Sequence, residues 1–287
     1  MNRSVAALLI TFFCLHSCLV TAQDKPQVVV SVPVLGLVAR EIGGPQIEVH
    51  QLLQGDASPH DYAMKFSDRR ALAQAERVFW IAPTLESFLV AALASNKHAV
   101  ALFATLPEAD AHVWFAPELM RDTAHVMAQH FVQLKPADAA AFDSRLATFD
   151  AQLTEASQKF SARMQALKGV RLIVGHDAYG QLTRTNGLLP TLAVLQQVQT
   201  AASAQRVAVL EQQINSGGNF CVIEERNHPL PVARQLAQRH SLPLVVIDVY
   251  AARSSSYISW LDELGRTLSA CGAPNLSAVS TLQSPGN

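Results

Sequence analysis

The chain has 287 residues, of which 49% are apolar and 16% charged, with a formal net charge of -1. Such a composition suits one large globular domain or two modest ones with ample core. The near-neutral balance gives no support for nucleic-acid binding, which would want a basic stripe.

Met1-Asn2-Arg3, followed by an apolar run from Val5 to Leu15, reads as a signal peptide over 1–22. Val20-Thr21-Ala22 supplies the small residues for cleavage, so the mature chain is expected to begin near Gln23. The apolar run falls short of the ~20 residues of a spanning helix. Lipidation at Cys18 is an alternative that the bulky His16 disfavours. No other stretch has the apolar length to span a bilayer, so the expectation is export followed by a soluble life.

Gln27 to Val32 is a β-branched run of the kind that forms a strand buried on both faces. Val34 to Ile42 predicts a helix stopped by Gly43-Gly44. A strand over Ile47 to Leu53 opens into the loop Gly55-Asp56-Ala57-Ser58-Pro59. Ser67 is expected to cap a helix through Gln74, Arg77 to Ile81 forms a strand, and Thr84 caps a helix to about Ser95. Alternating strands and helices imply an α/β fold with parallel sheet and helices on both faces. From Pro136 to Lys168, apolar Ala139, Phe142, Leu146, Phe149, Leu153 and Phe160 recur at helical spacing. An unbroken helix there would be ~50 Å long, long enough to join two lobes as a rigid strut; two helices with a bend are the alternative. The alternation then resumes with strands at Val170 to Val174, Asn219 to Ile223 and Leu244 to Ile247. Helices are expected from about Ala178, and over Ser203 to Ile214, Pro229 to His240 and Tyr257 to Ala270. The organisation expected is therefore an N-terminal lobe over 23–135, a linking helix over 136–168, a C-terminal lobe over 169–272 and a disordered tail over 273–287.

Removal of the signal peptide leaves Cys221 and Cys271. In an oxidising compartment a disulfide between them is expected, with a pair of buried thiols as the alternative.

Three histidines stand in loops just beyond predicted strands: His60 in Ser58-Pro59-His60-Asp61, His112 in Asp110-Ala111-His112-Val113-Trp114, and His176 in Gly175-His176-Asp177. Asp248 closes the apolar run Leu244 to Ile247. Ligands of open α/β sheets bind at the carboxyl ends of strands. These four together suit a tetrahedral site assembled between two lobes, three imidazoles and one carboxylate favouring Zn²⁺ by ligand type and geometry. Glu225 and Asp177 are expected to orient the histidines, the bland alternative being solvated surface charge. His228 follows Glu224-Glu225 and is a weaker ligand candidate. Because bound imidazoles must be neutral, metal affinity is expected to fall below pH ~6.5.

The segments Val30 to Gly36, Pro59-His60-Asp61-Tyr62 with Ser67-Asp68, Phe79-Trp80-Ile81-Ala82-Pro83, Leu85 to Leu89, His112 to Pro117, His176-Asp177-Ala178-Tyr179 and Ile247-Asp248 resemble the metal-binding class of solute-binding proteins of bacterial ABC transporters. They are most similar to its zinc-specific periplasmic members. The resemblance spans nearly the whole mature chain. It implies two lobes joined by one long helix, with His60, His112, His176 and Asp248 around a transported Zn²⁺, an inner-membrane permease subunit as partner, a monomeric state and no enzymatic activity. The cysteine pair also resembles a disulfide of the zinc-specific branch. Three departures stand out: no histidine occurs in Leu106 to Asp110, where such members carry a His-rich loop; Pro59 replaces a Glu before the first histidine; and Val249 follows Asp248 in place of Pro. Manganese- and iron-binding relatives tend to have Glu at the third ligand position, so a site for those metals is the nearest alternative. A zinc hydrolase or a surface adhesin on the same fold are more distant ones. The chain lacks the His-Glu-x-x-His pattern of many zinc hydrolases.

Overall fold

The computed structural model describes residues 25–55, 57–106, 111–195, 202–226 and 228–272. The expected signal segment, the tail after Gly272 and most of the short loop before Ala111 lie outside the described residues.

Two parallel sheets form the frame. The first carries β1 (Gln27–Val30), β2 (Glu48–Gln51), β3 (Arg77–Trp80) and β4 (Ala99–Ala101) in the order β2-β1-β3-β4. The second carries β5 (Val170–Val174), β6 (Leu192–Ala193), β7 (Asn219–Glu225) and β8 (Leu244–Ile247) in the order β6-β5-β7-β8. The helices α1 (Pro33–Gly43), α2 (Phe66–Gln74), α3 (Ser87–Leu93) and α4 (Pro117–Leu134) accompany the first sheet. The helices α6 (Gly180–Asn186), α7 (Ala204–Asn215), α8 (Pro231–Arg239) and α9 (Tyr257–Ser269) accompany the second. Between them runs α5 (Ala139–Met164), 26 residues extended at both ends by 3-10 turns. At 1.5 Å per residue its α-helical part is about 39 Å long, so one helix replaces the bent pair.

α5 is fastened at both ends. Arg145 donates from Nε to the Ile42 carbonyl (2.7 Å) and from Nη2 to the Gly43 carbonyl (3.1 Å), satisfying the open C-terminus of α1. Gly44 follows at φ +55°, and a Cβ there would lie 2.7 Å from the Arg145 guanidinium carbon, so glycine serves both backbone and packing. At the other end Arg163 pairs with Asp262 of α9 at 2.7 Å. A Cβ on Gly265 would stand 3.0 Å from the Phe160 ring, which lets α9 approach α5 closely.

One apolar cluster runs from β1 and β3 through α4 and α5 into Tyr179, Tyr250, Tyr257 and Trp260. A smaller cluster fills the other face of the second sheet. Cys221 of β7 and Cys271, just beyond α9, form a disulfide with Cα atoms 5.5 Å apart. It ties a central strand to the last helical turn.

Several local expectations shift. β1 stops at Val30 because Pro33 opens α1 three residues on. Ser67 does not cap α2: Lys65 is the N-cap, and the Asp68 carboxylate accepts its backbone N–H at 2.7 Å. Thr84 does not cap α3, which begins at Ser87; its hydroxyl donates to the Leu106 carbonyl instead. β7 runs two residues further than the apolar pattern, through Glu224 and Glu225. β4 and β6 are too short to leave an alternating signal.

Candidate metal centre

The carboxyl ends of the strands meet between the two sheets. The loop after β2 carries His60, the segment between β4 and α4 carries His112, and the loop after β5 carries His176. All three are buried, His112 completely. His60 Nε2 lies 3.3 Å from His112 Nε2, and His176 Nε2 lies 3.4 Å from the same atom. One ligand atom from each of the three imidazoles falls within a common 4.8 Å. A ring nitrogen holds at most one proton, so the shared His112 Nε2 cannot donate to both neighbours. Two such edges match those of a tetrahedron about a cation with metal–nitrogen bonds of about 2.0–2.1 Å, whose nitrogens stand about 3.3 Å apart.

Each imidazole is held from behind. Behind His60, it is the backbone N–H that donates to Ser58 Oγ at 3.3 Å, and Tyr250 of the second lobe shares a side-chain hydrogen bond with Ser58. His112 packs edge-on against Trp114, with ring centres 5.2 Å apart. The Trp114 carbonyl accepts the Tyr257 hydroxyl at 2.9 Å, and Trp114 packs against Tyr250 at 5.5 Å. Phe115 stacks on Tyr179 at 5.0 Å. An aromatic seam therefore joins the lobes beside the histidines.

His176 has a charged partner. Its Nδ1 lies 3.3 Å from Glu225 Oε1, which also accepts the Tyr179 hydroxyl at 2.9 Å. Burial pushes the Glu225 carboxyl up, but His176, the Tyr179 hydroxyl and His228 outweigh it and hold the pKa below its usual value. An anionic Glu225 draws the His176 proton to Nδ1 and leaves the Nε2 lone pair for a cation.

Asp177 and Asp248 behave differently. Asp177, next to His176 in the chain, is exposed. Asp248 stands at the end of β8 as expected, but it is not in the three-histidine group. Its Oδ2 accepts the Arg253 backbone N–H at 2.9 Å and its carbonyl accepts Trp260 Nε1 at 2.7 Å. The turn that allows this passes through Ala251 at φ +59°, a left-handed conformation costly for alanine. The backbone after β8 therefore takes the carboxylate for its own turn.

Burial, then the nearby His176 charge, lowers His60 to about 4, with Glu225 and Asp61 opposing. Proton competition at His60 thus begins well below the pH ~6.5 of a free imidazole. Elsewhere, the fully buried Glu86 accepts Ser31 Oγ (2.5 Å) and the N–H groups of Ile81 (3.1 Å) and Ala82 (2.9 Å). Burial raises it to about 7 against those bonds. It pins the ends of β1 and β3 beneath the cleft. No pattern in the residue order marks Tyr179, Trp114 and Tyr250 as supports. Tyr179, three residues beyond His176, was the most accessible of them.

A family model described as ZnuA, zinc-uptake complex component A, periplasmic, matches residues 28–271. The high-affinity zinc uptake system protein ZnuA of Yersinia pestis is 25% identical over 289 residues, covering 85% of this chain and 90% of that protein. A crystal structure of ZnuA superimposes with a TM-score of 0.76 at 22% identity, covering 87% of this chain and 100% of the other. The periplasmic zinc-binding protein TroA from Treponema pallidum gives a TM-score of 0.77 at 20% identity, covering 87% and 100% respectively. At such identities the two superpositions speak to the fold.

Proposed function

The chain belongs to the ZnuA family of periplasmic zinc-uptake components, and on that premise we propose that it captures Zn²⁺ between His60, His112 and His176 and delivers it to an inner-membrane ABC permease. Proteins of this family are binding components of transport, not enzymes. The observation that carries the reading is the pair of Nε2–Nε2 separations of 3.3 and 3.4 Å, which a tetrahedral zinc would span with little rearrangement. Among the described residues the group holds three imidazoles and no carboxylate, a set that favours zinc over manganese, which prefers oxygen.

The fourth position is proposed for water, with Asp248 as the rival ligand once its bond to Arg253 is released. Asp248→Asn then keeps zinc affinity in the first case and loses about tenfold or more in the second. Similarity to periplasmic zinc-uptake proteins supports a location outside the cytoplasm. Signal cleavage after Ala22, lobes divided by the 136–168 helix and a monomeric state belong to the same proposal. The aromatic seam between Trp114, Phe115, Tyr179, Tyr250 and Tyr257 supports limited lobe movement, because a large apolar interface resists hinge opening.

Metal content of protein purified from its own compartment, with Zn²⁺ and Mn²⁺ in competition, tests the cargo. His60→Ala should abolish tight zinc binding in a folded chain. Native affinity in that variant, or preferential retention of Mn²⁺ by the wild type, refutes the proposal.

A further inference from the structure

β7 ends on Glu225, and the chain turns straight back. The His228 N–H donates to the Glu225 carbonyl at 3.1 Å, and the two residues form an antiparallel bridge. Residues opposed across such a bridge carry their side chains on one face. The face is known, because the Glu225 carboxylate lies 3.3 Å from His176 Nδ1. His228 therefore rises on the cleft side. It is only partly buried, while Glu225 and the three clustered histidines are buried. Its charge is felt by both His60 and Glu225. Asp61, next to His60 and exposed, also acts on His60. An imidazole and a carboxylate, each with surface open to solvent, thus act electrostatically on the buried cluster.

A hydrated divalent cation has to shed its waters to reach His112, which has no exposed surface. Losing them together is costly, whereas exchanging one ligand at a time keeps the cation coordinated throughout. We infer that His228 is an outer ligand for the incoming cation at the cleft mouth, beside Asp61, and that it passes the cation to His60. This rests on the reading that the three histidines seat the cargo. Each step replaces one metal–ligand bond with another: a water leaves for the neutral His228 nitrogen, and His228 then leaves for His60. No electron is transferred, and departure follows the same path in reverse. The mouth selects divalent ions that accept imidazole, the class to which Zn²⁺ belongs.

A group on the path lowers the barrier in both directions, which gives it a kinetic signature. In the mature chain, His228→Gln should slow zinc association and dissociation alike, each by about tenfold, with the equilibrium constant held within about twofold. Stopped-flow mixing with zinc sulfate, followed by tryptophan fluorescence, reads the first rate. Transfer to an excess of chelator reads the second. His228→Glu, measured in 0.5 M salt to screen its added charge, should recover most of the lost rate because it restores a metal ligand. Unchanged rates in His228→Gln overturn the inference. So does weaker affinity through faster dissociation alone, which would make His228 a resident ligand. If the wild type binds zinc and His60→Ala abolishes it, these results bear on His228 only. If the wild type binds no zinc, the proposed function falls, and this inference falls with it.

Discussion

Replacing Glu225 with glutamine separates orientation of the site from stability of the fold. The carboxylate is buried, accepts the Tyr179 hydroxyl at 2.9 Å and faces His176 Nδ1 at 3.3 Å. Glutamine keeps the shape and an acceptor for Tyr179. It removes the negative charge that holds the His176 proton on Nδ1, along with the charge that attracts a cation one imidazole away. Partners of this kind contribute about 10- to 100-fold in metal affinity, equivalent to about 1.4–2.7 kcal/mol. The apo protein should lose some stability too, because His176, Tyr179 and His228 hold the carboxyl pKa below its usual value in the fold, but by less than the loss in affinity. Zinc affinity is read by competition with a chelator at pH 7.5, and apo stability by chemical denaturation. Native affinity in a folded Glu225→Gln protein refutes the orienting role. A stability loss as large as the affinity loss refutes it too, because the residue would then act through the fold.

Acid should weaken the apo protein through His60. Below pH 6.5 the unfolded chain protonates this imidazole, while burial keeps it neutral in the fold down to about 4. Its contribution is thus complete above the unfolded pKa and is lost as pH falls, by at most about 3 kcal/mol. Glu86 has the opposite sign: its pKa rises from 4.5 to about 7 on folding, so its contribution is complete below pH 4.5 and is lost as pH rises. The measurement is therefore the difference between wild type and His60→Gln across pH 4 to 6.5; a difference that does not change with pH refutes the His60 assignment. Glu86→Leu should cost at least about 2 kcal/mol, because it strands the buried Ile81 and Ala82 N–H groups, and a melt within a degree of wild type would refute that. Replacing Cys221 and Cys271 by serine opens a sequence separation of 50 residues and should cost about 4 kcal/mol in denaturation on the chain-entropy model. Zinc affinity should not change, since the bond lies outside the histidine group.

Much of the frame could be read from residue order. The β-branched runs at Val28 to Val30 and Leu244 to Ile247 became strands of two parallel sheets, and the helical stripe from Phe142 to Phe160 became one continuous α5. Those signals are strong because each depends on a period set by backbone geometry and repeated over several residues. β4 and β6, of three and two residues, carry no such repetition and were missed. Caps were less legible. Both Ser67 and Thr84 have the right chemistry for one, yet helix starts at Phe66 and Ser87 are set by packing and by Asp68 reaching back to Lys65.

The site divides in the same way. His60, His112 and His176 were legible because a polar residue just past a buried strand has one direction to go, into the crevice where strand ends open. Their meeting within 4.8 Å follows from that placement. Asp248 met the same criterion but is not in the group. What separates it is the next stretch of chain: Ala251 adopts φ +59°, the Arg253 N–H comes round to the carboxylate, and Trp260 secures the Asp248 carbonyl. None of those three has a signature that precedes the fold, since alanine does not announce a left-handed turn. An acidic strand end thus has two uses, as metal ligand or as cap for its own turn, and the backbone beyond it decides between them. A cation that recruits Asp248 through Oδ2 competes there with a charge-assisted bond worth about 1.5–3 kcal/mol. His60, His112 and His176 already offer ligand atoms within 4.8 Å of one another, so they are the part of this set that a cation would meet assembled.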